Sequence, residues 1–168
     1  MQRRSWLALG ALSAAALALG GGALASFQPG LDDSRLSGSG RAVFGGVARA
    51  VLDGTLPDAE PARSSALAAL LDRIDGLVAA LPPHAQSELS QLLALLASGA
   101  GRQLLAGLAA PWEEARAADI QHALQGMRTS GISLKQQAYQ ALHDIVGGAY
   151  FADAGTWAAL GYPGPLKI

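Results

Sequence analysis

Hydrophobic residues recur at three- and four-residue intervals along most of the chain, the spacing of helices buried on one side. The clearest run is Leu67, Leu70, Leu71, Ile74, Leu77, Val78 and Leu81, one continuous stripe. Pro61 suits the first turn of that helix, where its missing N–H costs nothing, and Pro82-Pro83 stops it. A third helix follows, with Leu89, Leu92, Leu93 and Leu96, ending near Gly99. Upstream, Val43, Phe44, Val47 and Val51 predict a first helix over Arg41–Asp53, with Gly54 just past its end. Gly45-Gly46 weakens it by roughly 1 kcal/mol per glycine relative to alanine, and a close helix crossing would account for the pair.

Gly101 to Leu108 predicts a short fourth helix. Pro111-Trp112-Glu113-Glu114 then puts a proline and two carboxylates where a helix start favours them, and the pattern runs on through Ile120, Leu124 and Met127. Thr129-Ser130-Gly131 breaks it. Ser133-Leu134-Lys135-Gln136 has the form of a capping box for a last helix presenting Leu134, Ala138, Leu142, Ile145 and Val146, flanked by Tyr139 and Tyr150. There is no internal repeat and no period-two strand. The expected fold is all-α, a single compact bundle of five to seven helices.

Two stretches break the pattern. After Tyr150, the residues Phe151, Trp157 and Gly161-Tyr162-Pro163-Gly164-Pro165 make an irregular aromatic tail that regular structure cannot accommodate. Trp157 and Tyr162 argue that this tail docks, either on its own domain or on another protein. Since nothing in it is needed to complete a bundle, Trp157, Tyr162, Pro163, Gly164 and Pro165 are the candidate partner-binding residues. At the other end, residues 26–40 hold Pro29, Asp32-Asp33 and Ser37-Gly38-Ser39-Gly40, which predict a flexible linker ahead of a helical domain over 41–168.

Residues 1–25 have the three-part layout of an export signal. Arg3-Arg4 begins it, an Ala/Leu/Gly run fills its middle, and Ala23-Leu24-Ala25 offers a small-x-small cleavage site. Trp6 to Leu19 is shorter than the ~20 residues that a membrane-spanning helix requires. Arg3, Arg4, Trp6 and Leu7 match most of the twin-arginine pattern, although the leading Ser/Thr and the trailing Lys are absent. The glycine-diluted middle also fits that route better than ordinary secretion. The mature domain is therefore expected in the periplasm.

Composition narrows the function. The 168 residues carry a formal charge of −1, and removing Arg3 and Arg4 makes it −3. Neither value, nor any basic cluster, suggests nucleic acid. The chain has no cysteine, which excludes disulfides, Cys-x-x-Cys-His haem attachment and thiolate-held iron–sulfur clusters. His84, His122 and His143 lack metal-site spacing. Asp72/Asp75 and Glu113-Glu114 are better explained as a solvated face and a helix start than as acid–base pairs. No nucleophile elbow or dinucleotide fingerprint occurs. The sequence offers no catalytic, cofactor-binding or metal-ligating residue, and no enzyme activity is expected.

A set of motifs carries a family resemblance: the twin-arginine leader, Leu81-Pro82-Pro83, Gly107-Leu108, Pro111-Trp112-Glu113-Glu114, Gln137-Ala138-Tyr139-Gln140-Ala141-Leu142-His143-Asp144, and the ending Trp157…Gly161-Tyr162-Pro163-Gly164-Pro165. The chain resembles the small, gamma-type subunit of periplasmic flavin-dependent dehydrogenases. These form the gluconate 2-dehydrogenase subunit 3-like group, which includes the small subunits of sorbitol and fructose dehydrogenases. The resemblance implies a non-catalytic accessory subunit bound to an FAD-containing large subunit of the glucose-methanol-choline oxidoreductase type. It further implies that FAD belongs to that partner and that a c-type cytochrome subunit takes the electrons. It also implies that the leader engages the twin-arginine translocase and exports the assembled pair. The alternative expectation is a free-standing exported helical binding or chaperone-like protein.

Overall fold

A computed structural model describes residues 28–157 and 161–164. The expected export-signal residues Arg3, Arg4, Trp6, Leu7, Ala23 and Ala25 lie outside these, as does the candidate docking residue Pro165.

The described residues form an all-α bundle of six helices with one two-stranded hairpin. In chain order the elements are β1 (Leu31–Asp32), β2 (Arg35–Leu36), α1 (Gly38–Val51), α2 (Ala62–Ala79), α3 (Pro83–Ala97), α4 (Gly99–Ala106), α5 (Ala117–Arg128) and α6 (Ser133–Phe151), followed by a short 3-10 turn, Ala154–Thr156. α1 is the hub. It packs on α3, α5, α6 and α2, and supplies Val43, Phe44, Val47 and Ala48, all without solvent exposure. Ile74, Val78, Leu93, Leu96, Ile120, Leu142 and Val146 close the core around it.

The expected linker is different. Over its described part the chain turns back on itself, with Leu31 opposite Leu36 and Asp32 opposite Arg35 in antiparallel register. Asp33 and Ser34 form the turn with positive φ, 44° and 64°, the left-handed pair that a two-residue hairpin requires. The segment is too short to show a period-two pattern, and Asp and Ser are weaker turn signals than Asn-Gly. The hairpin is tied to the bundle by a carboxylate. Asp75 Oδ1 accepts the Leu36 N–H at 2.7 Å, and Asp75 Oδ2 accepts from Arg41 Nη2 at 2.6 Å. Asp75, expected on a solvated face, is therefore buried, whereas Asp72 stays exposed beside Arg41. Arg41 holds its proton more firmly than a free arginine, chiefly through its hydrogen bond with Asp72, opposed by partial burial and helped by Asp75.

Helix starts also depart from expectation. The first begins at Gly38 because Ser37 caps it, accepting the Gly40 N–H. The capping-box serine at 133 makes no cap hydrogen bond. Instead Ser130 Oγ accepts the Ile132 N–H and the Ser130 carbonyl accepts from Gln136 Nε2. Pro111 does not open a long helix, because residues 111–115 make a single turn and α5 starts only at Ala117. Trp112 causes the break by pointing inward. It is fully buried and donates its indole N–H to the Leu96 carbonyl at 2.8 Å. That side chain also explains one of the paired glycines. A Cβ at Gly46 would press on Trp112, while the Cβ position at Gly45 is open, so a loop crosses α1 there and not a helix.

Candidate functional site

The segment from Gly107 to the start of α5 shows how firmly this fold holds irregular backbone. Arg49 donates to the Trp112 and Glu113 carbonyls at 2.6 and 3.0 Å. Arg102, buried without a carboxylate partner among the described residues, donates to the carbonyls of Ala97, Leu108 and Ala109. Both guanidinium groups thus replace missing helix hydrogen bonds.

The candidate docking residues sit at the C-terminal end of α6, where a second such arrangement occurs. Arg73 on α2 donates through Nε to the Ala149 carbonyl at 3.0 Å and pairs through Nη1 with Asp153 at 3.1 Å. Asp153 in turn caps the 3-10 turn by accepting the Gly155 N–H. Thr156 Oγ1 donates to the carbonyls of Tyr150 and Asp153. These bonds satisfy carbonyls that the end of α6 would otherwise leave open.

Beyond that turn the tail folds back on the helix end. Trp157 donates its indole N–H to the Phe151 carbonyl at 2.8 Å, and its own carbonyl accepts the Tyr162 N–H at 3.0 Å. The Trp157 and Tyr162 rings meet edge to face with centroids 5.5 Å apart. Gly161 and Gly164 take left-handed φ of 71° and 93°, and a Cβ at Gly164 would make an ordinary contact, 3.6 Å, with the Trp157 ring. The result is a small knob with an open, shallow cleft lined by Ala154, Trp157, Gly161, Tyr162 and Pro163.

The structure thus brings Trp157, Tyr162, Pro163 and Gly164 together. Trp157 is half-buried as the centre of the knob, while Tyr162 remains 51% exposed. Two neighbours are absent from the docking residues that the sequence suggests. Phe151 is 50% exposed at the last turn of α6, and Leu77 is 39% exposed although the stripe on α2 placed it in the core. Leu77 lies beside Gly148, one helical turn before Phe151, and the small glycine leaves the leucine uncovered. Arg73, the residue that fixes the base of the knob, carries no sequence signal beyond a charge flanking an apolar stripe.

Among the described residues no three His, Cys, Asp or Glu side chains gather where they could hold a metal ion. His84, His122 and His143 are exposed, and His143 stacks on Tyr139 with centroids 5.4 Å apart. No described helix is long and apolar enough to cross a membrane. Comparison with family models, curated proteins and solved structures finds no match to the chain.

Proposed function

We propose that the chain is a non-catalytic accessory subunit of a periplasmic FAD-dependent dehydrogenase of the glucose-methanol-choline type, and that its twin-arginine leader carries the flavoprotein with it. The motif ending Trp157…Gly161-Tyr162-Pro163-Gly164-Pro165 is the observation that carries this proposal. Two structural features support it. The ending forms a built knob in which two glycines adopt conformations that other residues resist. Exposed aromatic surface on Phe151 and Tyr162 is concentrated beside it, the side-chain type that anchors protein interfaces.

A tagged chain expressed with its neighbouring genes tests the proposal by co-purification. A flavin absorbance in the eluate is expected. An eluate without flavin, while the dehydrogenase stays active elsewhere in the cell, would overturn it.

One observation favours a second reading, a free-standing exported binding protein. The Trp157 indole is satisfied within the chain by Phe151, so the tail has its own base without a partner. That version expects a monodisperse monomer and no co-purifying flavoprotein.

A further inference from the structure

We infer that the β1–β2 hairpin is a strap whose docked or released state is felt at the Trp157–Tyr162 knob, with α2 as the element between them. The coupling is a property of this chain alone. Its use in controlling attachment of a flavoprotein rests on the function proposed above.

α2 is gripped from two sides at one level. Arg73 and Asp75 are two residues apart, about 200° round the helix at roughly 3.6 residues per turn, so they face opposite ways. Between them Ile74 is fully buried, and Leu70, Leu71 and Val78 continue its face into the core. On one side Asp75 accepts the Leu36 N–H and binds Arg41, which also reaches Asp72 at 2.9 Å. On the other, Arg73 binds the Ala149 carbonyl and Asp153 at the base of the knob.

The hairpin also supplies a support that α3 does not. α2 packs on α1, α6 and β2, whereas α3 packs on α1, α4 and β1; among the described residues α2 and α3 make little direct contact. The hairpin bridges these two consecutive helices. Asp75 fastens β2 to α2. At the α3 side Gly30 donates its N–H to the Ser90 carbonyl at 3.2 Å, and Ser90 Oγ accepts the Leu31 N–H at 3.1 Å. Gly30 sits so close to α3 that a Cβ there would collide with the Leu93 Cβ and stand 2.7 Å from the Ser90 carbonyl oxygen.

Such a strap has two states. Strands of two residues do not hold a hairpin together by themselves, so docking is what orders it. Leu36 is its fully buried apolar anchor, while Val43, Phe44 and Val47 of α1 keep the core without it. Release therefore costs less than unfolding the bundle. With the strap released, α2 loses its support on the α3 side and Asp75 loses an N–H donor. α2 then rocks about its buried Ile74 face, and Arg73 on the far side moves off Ala149 and Asp153. The knob loses its base. Coupling of this kind is reciprocal, so whatever fixes the knob also holds the strap down.

Gly30→Ala releases the strap from α3 without altering α2, α6 or the knob. Ser90→Ala, which removes the acceptor of the Leu31 N–H, is the gentler variant if the first does not fold. Circular dichroism reports the bundle. Hydrogen exchange in the free chain reports the strap at the Leu36 N–H and the knob at the Trp157 indole N–H and the Tyr162 N–H. In a variant that keeps its helices, exchange in the knob is expected to accelerate together with Leu36, by about fivefold or more, the low end for coupled sites. Arg73→Gln, which loosens the knob directly, should speed exchange at Leu36 in return. A strap that opens while the knob exchanges as in the wild type would refute the coupling.

Adding purified flavoprotein to the wild type is expected to slow exchange at Leu36 by a similar factor. Binding that leaves Leu36 unchanged would also refute the coupling. A flavoprotein that does not bind at all would overturn the proposed function instead, and the free-chain measurements still decide whether strap and knob are linked.

Discussion

Gly46 and Trp112 meet with no room to spare: a Cβ added at Gly46 would lie 3.0 Å from the Trp112 carbonyl oxygen and 3.1 Å from its Cε3. Trp112 is fixed by its indole bond to the Leu96 carbonyl on α3 and by Arg49, which holds the Trp112 carbonyl against α1, so it has little freedom to retreat. Gly46→Ala should therefore destabilise by about 1–3 kcal/mol, as overpacking does. Gly45→Ala points into open space and should stabilise by roughly 0.5–1 kcal/mol through helix propensity. Urea denaturation of the two variants distinguishes adjacent glycines with opposite roles.

The hairpin turn makes a second prediction. Asp33 holds φ of 44° with an exposed side chain. Asp33→Gly should remove that strain and raise the unfolding free energy by about 0.5–1 kcal/mol. Ser34→Gly gains less, because it also removes the hydrogen bond from Ser34 Oγ to Gln86 Oε1 at 2.8 Å. Thermal melts of both variants check the order.

Among the described residues, Asp119 is a surface contributor to acid sensitivity. Arg116 forms two hydrogen bonds with Asp119 in the first turn of α5, at 2.8 and 2.7 Å. That contact, chiefly the hydrogen bond, holds the Asp119 carboxyl below its ordinary 3.8 and the Arg116 proton more firmly than usual. A carboxyl depressed by folding contributes stability above its unfolded value, and that contribution fades as pH falls through the depressed value. Arg116→Gln should thus lower stability at neutral pH, with the gap to wild type closing below pH 3.8. An NMR titration of Asp119 in both proteins measures the shift directly.

Much of this fold was legible because amphipathic periodicity is a local signal. Val43, Phe44 and Val47, or Leu142 and Val146, announce their burial by spacing alone. What escaped depends on partners distant in sequence. Asp75 looks solvated on its own helix, and only the hairpin folding over it makes it an acceptor. Pro111-Trp112-Glu113-Glu114 looks like a helix start because the pocket for Trp112 is made by α1 and α3. At the candidate site, aromatic and glycine content marked the tail. Its base could not be seen, since Arg73 reaches it from 76 residues away along the chain.

The proposed docking through the knob predicts that binding and stability respond to different substitutions. Tyr162 is half-exposed and its ring touches Trp157, whereas Trp112 is a core residue. Tyr162→Ala should weaken association with the flavoprotein tenfold or more, an interface loss of roughly 1.4 kcal/mol or above, with little change in melting temperature. Trp112→Ala should instead cost about 3–5 kcal/mol of folding stability. Calorimetry against the purified partner, alongside melts, reads both effects.

The central claim is that the leader of this chain serves two proteins. Replacing Arg3 and Arg4 by lysine and fractionating the cells tests it most directly. Retention of both this chain and the flavoprotein in the cytoplasm is the expected result. A flavoprotein that reaches the periplasm normally while only this chain is stranded would contradict it.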